Sequence, residues 1–197
     1  MSSFWNERYS VKEYIYGEEP NLFFAEQLGK LMPGHIILPC DGEGRNGVYA
    51  AVQGWTVDAF DQSTEGQRKA LDLAGKKGVH INYNISDAAE VTFPENSADA
   101  VAIIFAHLPP DVRKRLNKNI ITWLKPGGTL ILEAYNPLQL KNDTGGPKDR
   151  SMLYTEAILK EDFKDLETQL LQSLELNIKE GIYHDGLSNV IRFVGQK

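Results

Sequence analysis

Apolar and polar positions follow two rhythms along this chain. Short apolar runs recur at His35–Cys40, Trp55–Phe60, Val79–Ile85, Asp99–Ala106 and Thr129–Tyr135. Their length and flanking turn residues predict strands, and the nearly continuous run at Asp99–Ala106 predicts one buried on both faces. Between the runs lie segments of helical spacing. Leu22–Leu31 reads as an amphipathic helix stopped by Pro33-Gly34, and Gly47–Gln53 as a second. Ser63 caps a third that runs to about Lys77 and stops at Gly78. A fourth spans Asp111–Leu124 and ends at Lys125-Pro-Gly-Gly128.

Alternating strands and helices predict a parallel sheet with right-handed crossovers. The character changes after Tyr135. Asn136–Tyr154 reads as a long polar loop containing Thr144-Gly-Gly-Pro147, with the glycine hinges of a lid, and Thr155 or Glu156 opens a helix. Ser173–Tyr183 and Leu187–Gly195 read as two strands of a hairpin that turns at Asp185-Gly186. The expected class is therefore α/β, with five parallel strands and an antiparallel addition at one edge. Residues 1–197 show no repeat or linker and are expected to form one domain. Residues 1–34 make an aromatic-rich N-terminal arm.

Composition narrows the options modestly. A net charge of −6 argues against broad nucleic-acid binding, which needs basic surface. No apolar run is long enough to span a membrane, and the first residues lack the apolar core of a signal peptide, so a cytoplasmic location is expected. The single cysteine, Cys40, rules out an intramolecular disulfide framework. It reads better as a small packed residue than as a nucleophile. With His35, His80 and His184 scattered, no metal site is expected. Oligomeric state is not legible.

The richest segment is His35-Ile-Ile-Leu-Pro-Cys-Asp-Gly-Glu-Gly-Arg-Asn-Gly47, followed by a helix and then a strand ending in Asp61. Strand, glycine loop, helix, strand, acid is the order by which α/β sheets bind adenosine-containing cofactors. Gly42 and Gly44 let the backbone approach a ligand, and Asp61 can accept from ribose hydroxyls. Read literally, Gly42-Glu-Gly44-Arg-Asn-Gly47 also matches G-x-G-x-x-G, with Asp61 placed 19 residues after Gly42. An NAD(P)-dependent oxidoreductase is therefore a competing reading.

Further motifs favour another cofactor. Ser86-Asp-Ala-Ala-Glu90 follows the third strand, Phe93-Pro-Glu-Asn-Ser97 precedes the fourth, and Leu124-Lys-Pro-Gly-Gly128 introduces the fifth. With these, the chain resembles the class I, Rossmann-like SAM-dependent methyltransferases over essentially its whole length. Gly-Arg-Asn and the aromatic arm are similar to the small-molecule enzymes of the tellurite-resistance and thiopurine type. The resemblance implies a three-layer αβα sandwich with a mostly parallel seven-stranded sheet and an antiparallel C-terminal hairpin. It implies S-adenosyl-L-methionine (SAM) as cofactor and a small-molecule methyl acceptor, with no nucleic-acid or membrane partner. A SAM-binding protein without turnover is a third reading.

The resemblance also implies residue roles. The loop Gly42–Asn46, with Arg45 and Asn46, looks like motif I, and Asp61 like the motif II acid with Gln62 along the adenine. Asp87 and the Ala88 N–H would read the adenine edge. Motif I normally carries an acid in the strand, where this chain has Leu38-Pro-Cys40, so Asp41 is the candidate replacement near the amino-acid end of the cofactor. The arm would fold over the pocket, with Arg8 and Tyr16 at the methionyl end. His107 would stand near the methyl group, together with Glu133 and Tyr135 at the end of the fifth strand. His107 would serve as a base, or as a wall of the acceptor pocket. Methyl transfer from a sulfonium needs chiefly proximity and alignment, so no full catalytic triad is required.

Overall fold

The computed structural model describes residues 2–197. Its strands are β1 (His35–Pro39), β2 (Thr56–Asp61), β3 (Asn82–Ile85), β4 (Ala98–Ile104), β5 (Leu124–Tyr135), β6 (Glu167–Lys179) and β7 (Asp185–Gln196). Helices are α1 (Ser2–Tyr9), α2 (Leu22–Leu28), α3 (Arg45–Val52), α4 (Thr64–Lys77), α5 (Pro110–Trp123) and α6 (Glu156–Asp162). The seven strands form one sheet in the order β3-β2-β1-β4-β5-β7-β6. β1 to β5 run parallel, while β7 pairs antiparallel with both β5 and β6.

The alternation of side chains along each strand builds the three layers. Ile37, Phe60, Val101, Ile103, Leu130 and Leu132 face one way and pack with Leu116, Ile120 and Trp123 of α5 and Leu159 of α6. Ile36, Leu38, Val57, Ala59, Ala100 and Ala102 face the other way, against Phe24 and Leu28 of α2, Val48 and Ala50 of α3, and Ala70 and Leu73 of α4. Strands buried on both faces need apolar residues on both, as β4 shows from Ala100 to Ile104.

Local signals fixed the ends of α4. The Ser63 side chain accepts from the Gly66 N–H, and Gly78 takes the left-handed conformation at φ 69°. The strand that follows is shorter than the expected Val79–Ile85. The Val79 N–H turns back to the Ala74 carbonyl at 3.0 Å, so residues 79–81 connect and do not pair. β5 is longer than Thr129–Tyr135, because Leu124 already bridges Ala98 across a register shift.

Two expectations are corrected. The hairpin does not turn at Asp185-Gly186: Asp185 pairs with Lys179 and Gly186 with Ile178. The turn is Glu180–His184, closed by the Glu180 N–H on the His184 carbonyl at 2.7 Å and anchored by the Ile182 N–H on the Ile15 carbonyl at 2.8 Å. A tertiary contact to the N-terminal arm thus sets a turn that composition placed five residues later. Asn136–Tyr154 is not an open lid. It contains two 3-10 turns, buries Gln139, Leu153 and Tyr154, and seats Gly145 and Gly146 against Tyr135.

Pro39 is the last residue of β1. The strand's pairing to β4 covers Ile36 and Ile37, so the missing Pro39 N–H falls past that ladder. Cys40 then turns with φ 55°, and the chain enters the glycine loop.

Gly44 must be glycine for two reasons acting in the same direction. Its φ is +83°, and a Cβ there would lie 2.4 Å from the Ala70 Cβ and 2.8 Å from the Ala70 Cα. Gly44→Ala is therefore expected to cost about 2–4 kcal/mol, combining left-handed strain with overpacking. Denaturant unfolding measures this, and an unchanged midpoint would show that α4 does not clamp the loop.

Candidate functional site

Strand order reverses between β1 and β4, the strands that leave the sheet centre in opposite directions. In open α/β sheets a crevice opens at such a point, beyond the carboxyl ends of the strands. Here it is lined by Leu38 to Glu43, Arg45, Asn46, Asp61, Gln62 and residues 104–108, and it is covered by Trp5, Tyr9, Tyr16 and Gly17. His184 closes one side. Two non-glycine residues with left-handed backbone, Cys40 at φ 55° and Phe105 at φ 52°, stand at the ends of β1 and β4, and both face this cavity. Strain of this sort survives only where the surroundings impose it, and it concentrates at functional sites.

Asp61 ties β2 to the loop. It is buried, and its carboxylate accepts from the Gly42 N–H at 3.3 Å and the Ser63 N–H at 2.9 Å. A carboxylate has about four acceptor sites, so two remain for a ligand. Burial raises its pKa against the opposing pull of these N–H bonds. The Tyr83 hydroxyl donates to the Gly42 carbonyl at 2.6 Å and fixes the loop from β3. A Cβ on Gly42 would come within 2.7 Å of the Tyr9 hydroxyl, so the groove above the loop is open only because glycine leaves it so. A buried acid with free lone pairs beside a side-chain-free groove fits an adenosine ribose.

The other sequence-derived candidates divide. Asp41, Gly42, Arg45, Asn46, Gln62 and Tyr16 all line the cavity. Asp41 accepts from the Gly47 N–H at 3.1 Å in the first turn of α3. Arg45 pairs with Glu180 at 2.6 Å, and the Asn46 side chain accepts from the Asn21 N–H at 2.9 Å. Gly44 lies outside the lining, pressed on Ala70. Asp87 and Ala88 are also outside it. Asp87 is exposed and accepts from Gln62 at 2.9 Å, which orients Gln62 at the rim, while Ala88 is packed in the core. Arg8 does not point into the cavity: it donates to the Tyr16 hydroxyl at 3.1 Å and stacks on Phe4 and Tyr183.

His107 is corrected as a base. Its ring lies on the cavity wall, but Nδ1 is 3.0 Å from the Phe105 carbonyl and Nε2 accepts from the Tyr135 N–H at 2.9 Å. Burial and the neighbouring His184 push its pKa down to about 3. It is a neutral strut between β4 and β5. Glu133 is displaced as well. It pairs with Arg192 and accepts from Asn21 at 2.7 Å, in a second cavity behind the first.

Sequence reasoning missed Glu43, Trp5, Phe105 and His184 as lining groups. Glu43 sits inside the glycine loop and forms a buried pair with Lys69 at 2.7 Å while accepting from the Tyr16 N–H at 3.3 Å. Its position between two glycines was the available signal. Nothing local marked His184.

Residues 39–128 match a family model described as a methyltransferase domain. The matched segment runs from the glycine loop to the turn before the straight part of β5. No curated protein matches the chain in sequence. Among solved structures, one described by the conversion of a disulfide bond into a thioacetal group during echinomycin biosynthesis superposes with TM-score 0.82 at 13% identity. The match covers 100% of this chain and 91% of that one. A SAM-dependent methyltransferase from Methanosarcina mazei gives 0.70 at 19% identity, over 91% and 98%. TehB from Haemophilus influenzae gives 0.69 at 17%, over 100% of this chain and 66% of that one. It stands no nearer than the others, so the narrower tellurite-resistance likeness is not singled out. Sheet order and these superpositions show the class I, Rossmann-like methyltransferase fold, and residues 39–128 carry the methyltransferase-domain match. No helix among the described residues is long and apolar enough to cross a membrane.

Asp41 supplies a pH test. Burial, opposed by the Gly47 N–H and Arg45, raises its pKa from 3.8 to about 8. The folded protein then holds a proton that the unfolded chain has released, so this carboxyl lowers stability as pH rises from about 4 to about 8. The slope approaches about 1.4 kcal/mol per pH unit within that window. Asp41→Asn is expected to remove this contribution and leave that of Asp61, which has the same sign. Parallel stability–pH curves for the two proteins would show that Asp41 ionises normally.

Proposed function

We propose that this protein methylates a small-molecule acceptor in the cytoplasm, with its 197 residues acting as one domain and residues 1–34 as the cover of the site. The observation that carries the reading is the cavity itself. It opens at the strand-order reversal, holds a buried acid beside a bare glycine loop, and is roofed by Trp5, Tyr9 and Tyr16. A covered crevice of this kind admits a small acceptor and excludes a folded protein or a duplex.

The cofactor of this reading is S-adenosylmethionine, which when bound would supply an electrophilic methyl group on a sulfonium. The protein's own groups bind and orient. Asp61 takes the ribose hydroxyls with its two free acceptor positions. Gly42 and Gly44 shape the loop so that backbone, not side chain, meets the ligand. Gln62, held by Asp87, lies along the adenine face, while Asp87 and Ala88 define the rim behind it. Asp41, Arg45 and Asn46 face the amino-acid end, with Tyr16 above and Arg8 fixing Tyr16 from outside. His107, with both nitrogens occupied, gives the acceptor space a rigid neutral wall. Trp5 and Tyr9 exclude water, which would compete with the acceptor. Arm contacts support this closure: the Asn6 side chain accepts from Ser63 Oγ at 2.7 Å and from the Glu65 N–H at 3.3 Å, at the N-terminus of α4.

Calorimetry tests the reading. Purified protein is expected to bind SAM and S-adenosylhomocysteine and to bind NADH and NADPH far more weakly. Asp61→Ala should weaken SAM by roughly 1.5–3 kcal/mol per charge-assisted hydrogen bond lost. Tight dinucleotide binding without SAM binding would return the chain to the oxidoreductase reading.

A further inference from the structure

Four aromatic rings converge at the inner end of the cavity. The imidazole of His184 lies 4.5 Å from the Tyr16 ring, 4.6 Å from Phe105 and 5.4 Å from Tyr135, centroid to centroid. These groups come from the arm, from the strained residue after β4, from the end of β5 and from the β6–β7 turn. His184 is 6% exposed, yet its Nδ1 has no hydrogen-bond partner. A buried, unpaired polar atom costs about 1–3 kcal/mol and calls for an explanation.

Glu180 explains it. Its Oε2 lies 3.8 Å from His184 Nδ1, just beyond a hydrogen bond, and the same carboxylate pairs with Arg45 at 2.6 Å. Burial alone would raise the Glu180 carboxyl, but His184 and Arg45 outweigh it and hold it below the ordinary value. It is therefore a fixed negative charge behind the imidazole. Burial lowers the pKa of His184, Glu180 opposes that, and the Arg45 and Arg8 guanidinium groups add to it. A carboxylate at Nδ1 sets the tautomer with its proton on Nδ1, leaving Nε2, on the other edge of the ring, as the acceptor of a side chain that lines the cavity. Catalytic hydrogen bonds are often long before ligands close the site. His107 cannot take this part, because both its nitrogens are spent on backbone.

We propose that His184, oriented by Glu180, accepts the proton from a neutral O–H or S–H methyl acceptor lodged between Tyr16 and Phe105. This rests on the methyltransferase reading and adds its acid–base group and its acceptor class. In the step, an acceptor lone pair forms the new bond to the methyl carbon. The carbon–sulfur bond breaks with its electrons to sulfur, leaving neutral S-adenosylhomocysteine. The acceptor proton passes to His184 Nε2, and the imidazolium charge is met by Glu180 until the proton reaches solvent.

Two measurements test it. Diethyl pyrocarbonate acylates neutral imidazoles that keep a free ring nitrogen, so peptide mapping after prolonged treatment of the native protein should find His184 modified and His107, whose nitrogens are both bonded, untouched. Methyl transfer from SAM is then followed with 4-methylphenol, neutral at pH 7, and 4-nitrothiophenol, already ionised there. His184→Gln should lower transfer to the phenol by about 100-fold. Its loss with the thiolate should be at least about tenfold smaller, because no proton has to be removed. Glu180→Gln should show the same preference more weakly, and calorimetric S-adenosylhomocysteine affinity should hold in His184→Gln. Equal losses for both probes, an unmodified His184, or no transfer to either probe by the parent protein would overturn the proposal. Failure of the parent protein to bind S-adenosylhomocysteine would instead overturn the cofactor reading.

Discussion

A parallel sheet cannot return on itself without a crossover, and this chain makes its crossovers in two directions from the centre. β1, β2 and β3 spread one way, then the chain comes back to start β4 on the other side of β1. The connections after β1 and β4 leave toward opposite faces, so nothing fills the space above their carboxyl ends. Everything functional hangs on that gap. The glycine loop crosses its floor, Asp61 forms one wall from β2, and residues 105–108 form the other after β4. An antiparallel β7 between β5 and β6 then brings the Glu180–His184 turn back over the same end of the sheet.

The gap is sealed by buried polar contacts, not by apolar packing alone. Asn21 caps α2 through its side-chain oxygen, while its side-chain nitrogen donates to Glu133 at 2.7 Å and to Glu180 at 3.0 Å. Glu180 holds Arg45 at the start of α3, and Glu133 holds Arg192 of β7. Each pair is weak evidence for stability, since desolvation offsets much of the attraction. Removing one partner is another matter, because it strands a buried charge at about 3–5 kcal/mol. The network thus links arm, loop and hairpin into one unit whose parts are arranged around the cavity. It also joins the floor of the site, through Arg45, to the imidazole at its inner end.

How much of this was legible in the chain follows from how local each cause is. Ser63 and Gly78 marked the ends of α4 because a cap and a left-handed stop are interactions within one turn. The buried character of β4 was legible because both faces need apolar residues. The hairpin turn was misread because Asp185-Gly186 is a strong local signal, while the actual turn is set by Ile15, far away in sequence. The lid reading of Asn136–Tyr154 failed for a related reason: its glycines permit close packing on Tyr135, and flexibility was inferred from the same residues. In the site, the loop and Asp61 followed from spacing along two adjacent strands. His184 did not, since it gains meaning only where four distant segments meet. His107 was a candidate in sequence as a base or a wall because it ends the fourth strand, and only the carbonyl of Phe105 and the N–H of Tyr135 reveal that its nitrogens are taken.

The most direct measurement is a crystal structure of the protein with S-adenosylhomocysteine. The account predicts the ribose hydroxyls within hydrogen-bond distance of the Asp61 carboxylate, the amino-acid end over Asp41 and Arg45, and the sulfur directed at the space between Tyr16 and Phe105, beside His184. A ligand bound elsewhere, or one seated with its sulfur turned away from His184 and its ribose out of reach of Asp61, would contradict it.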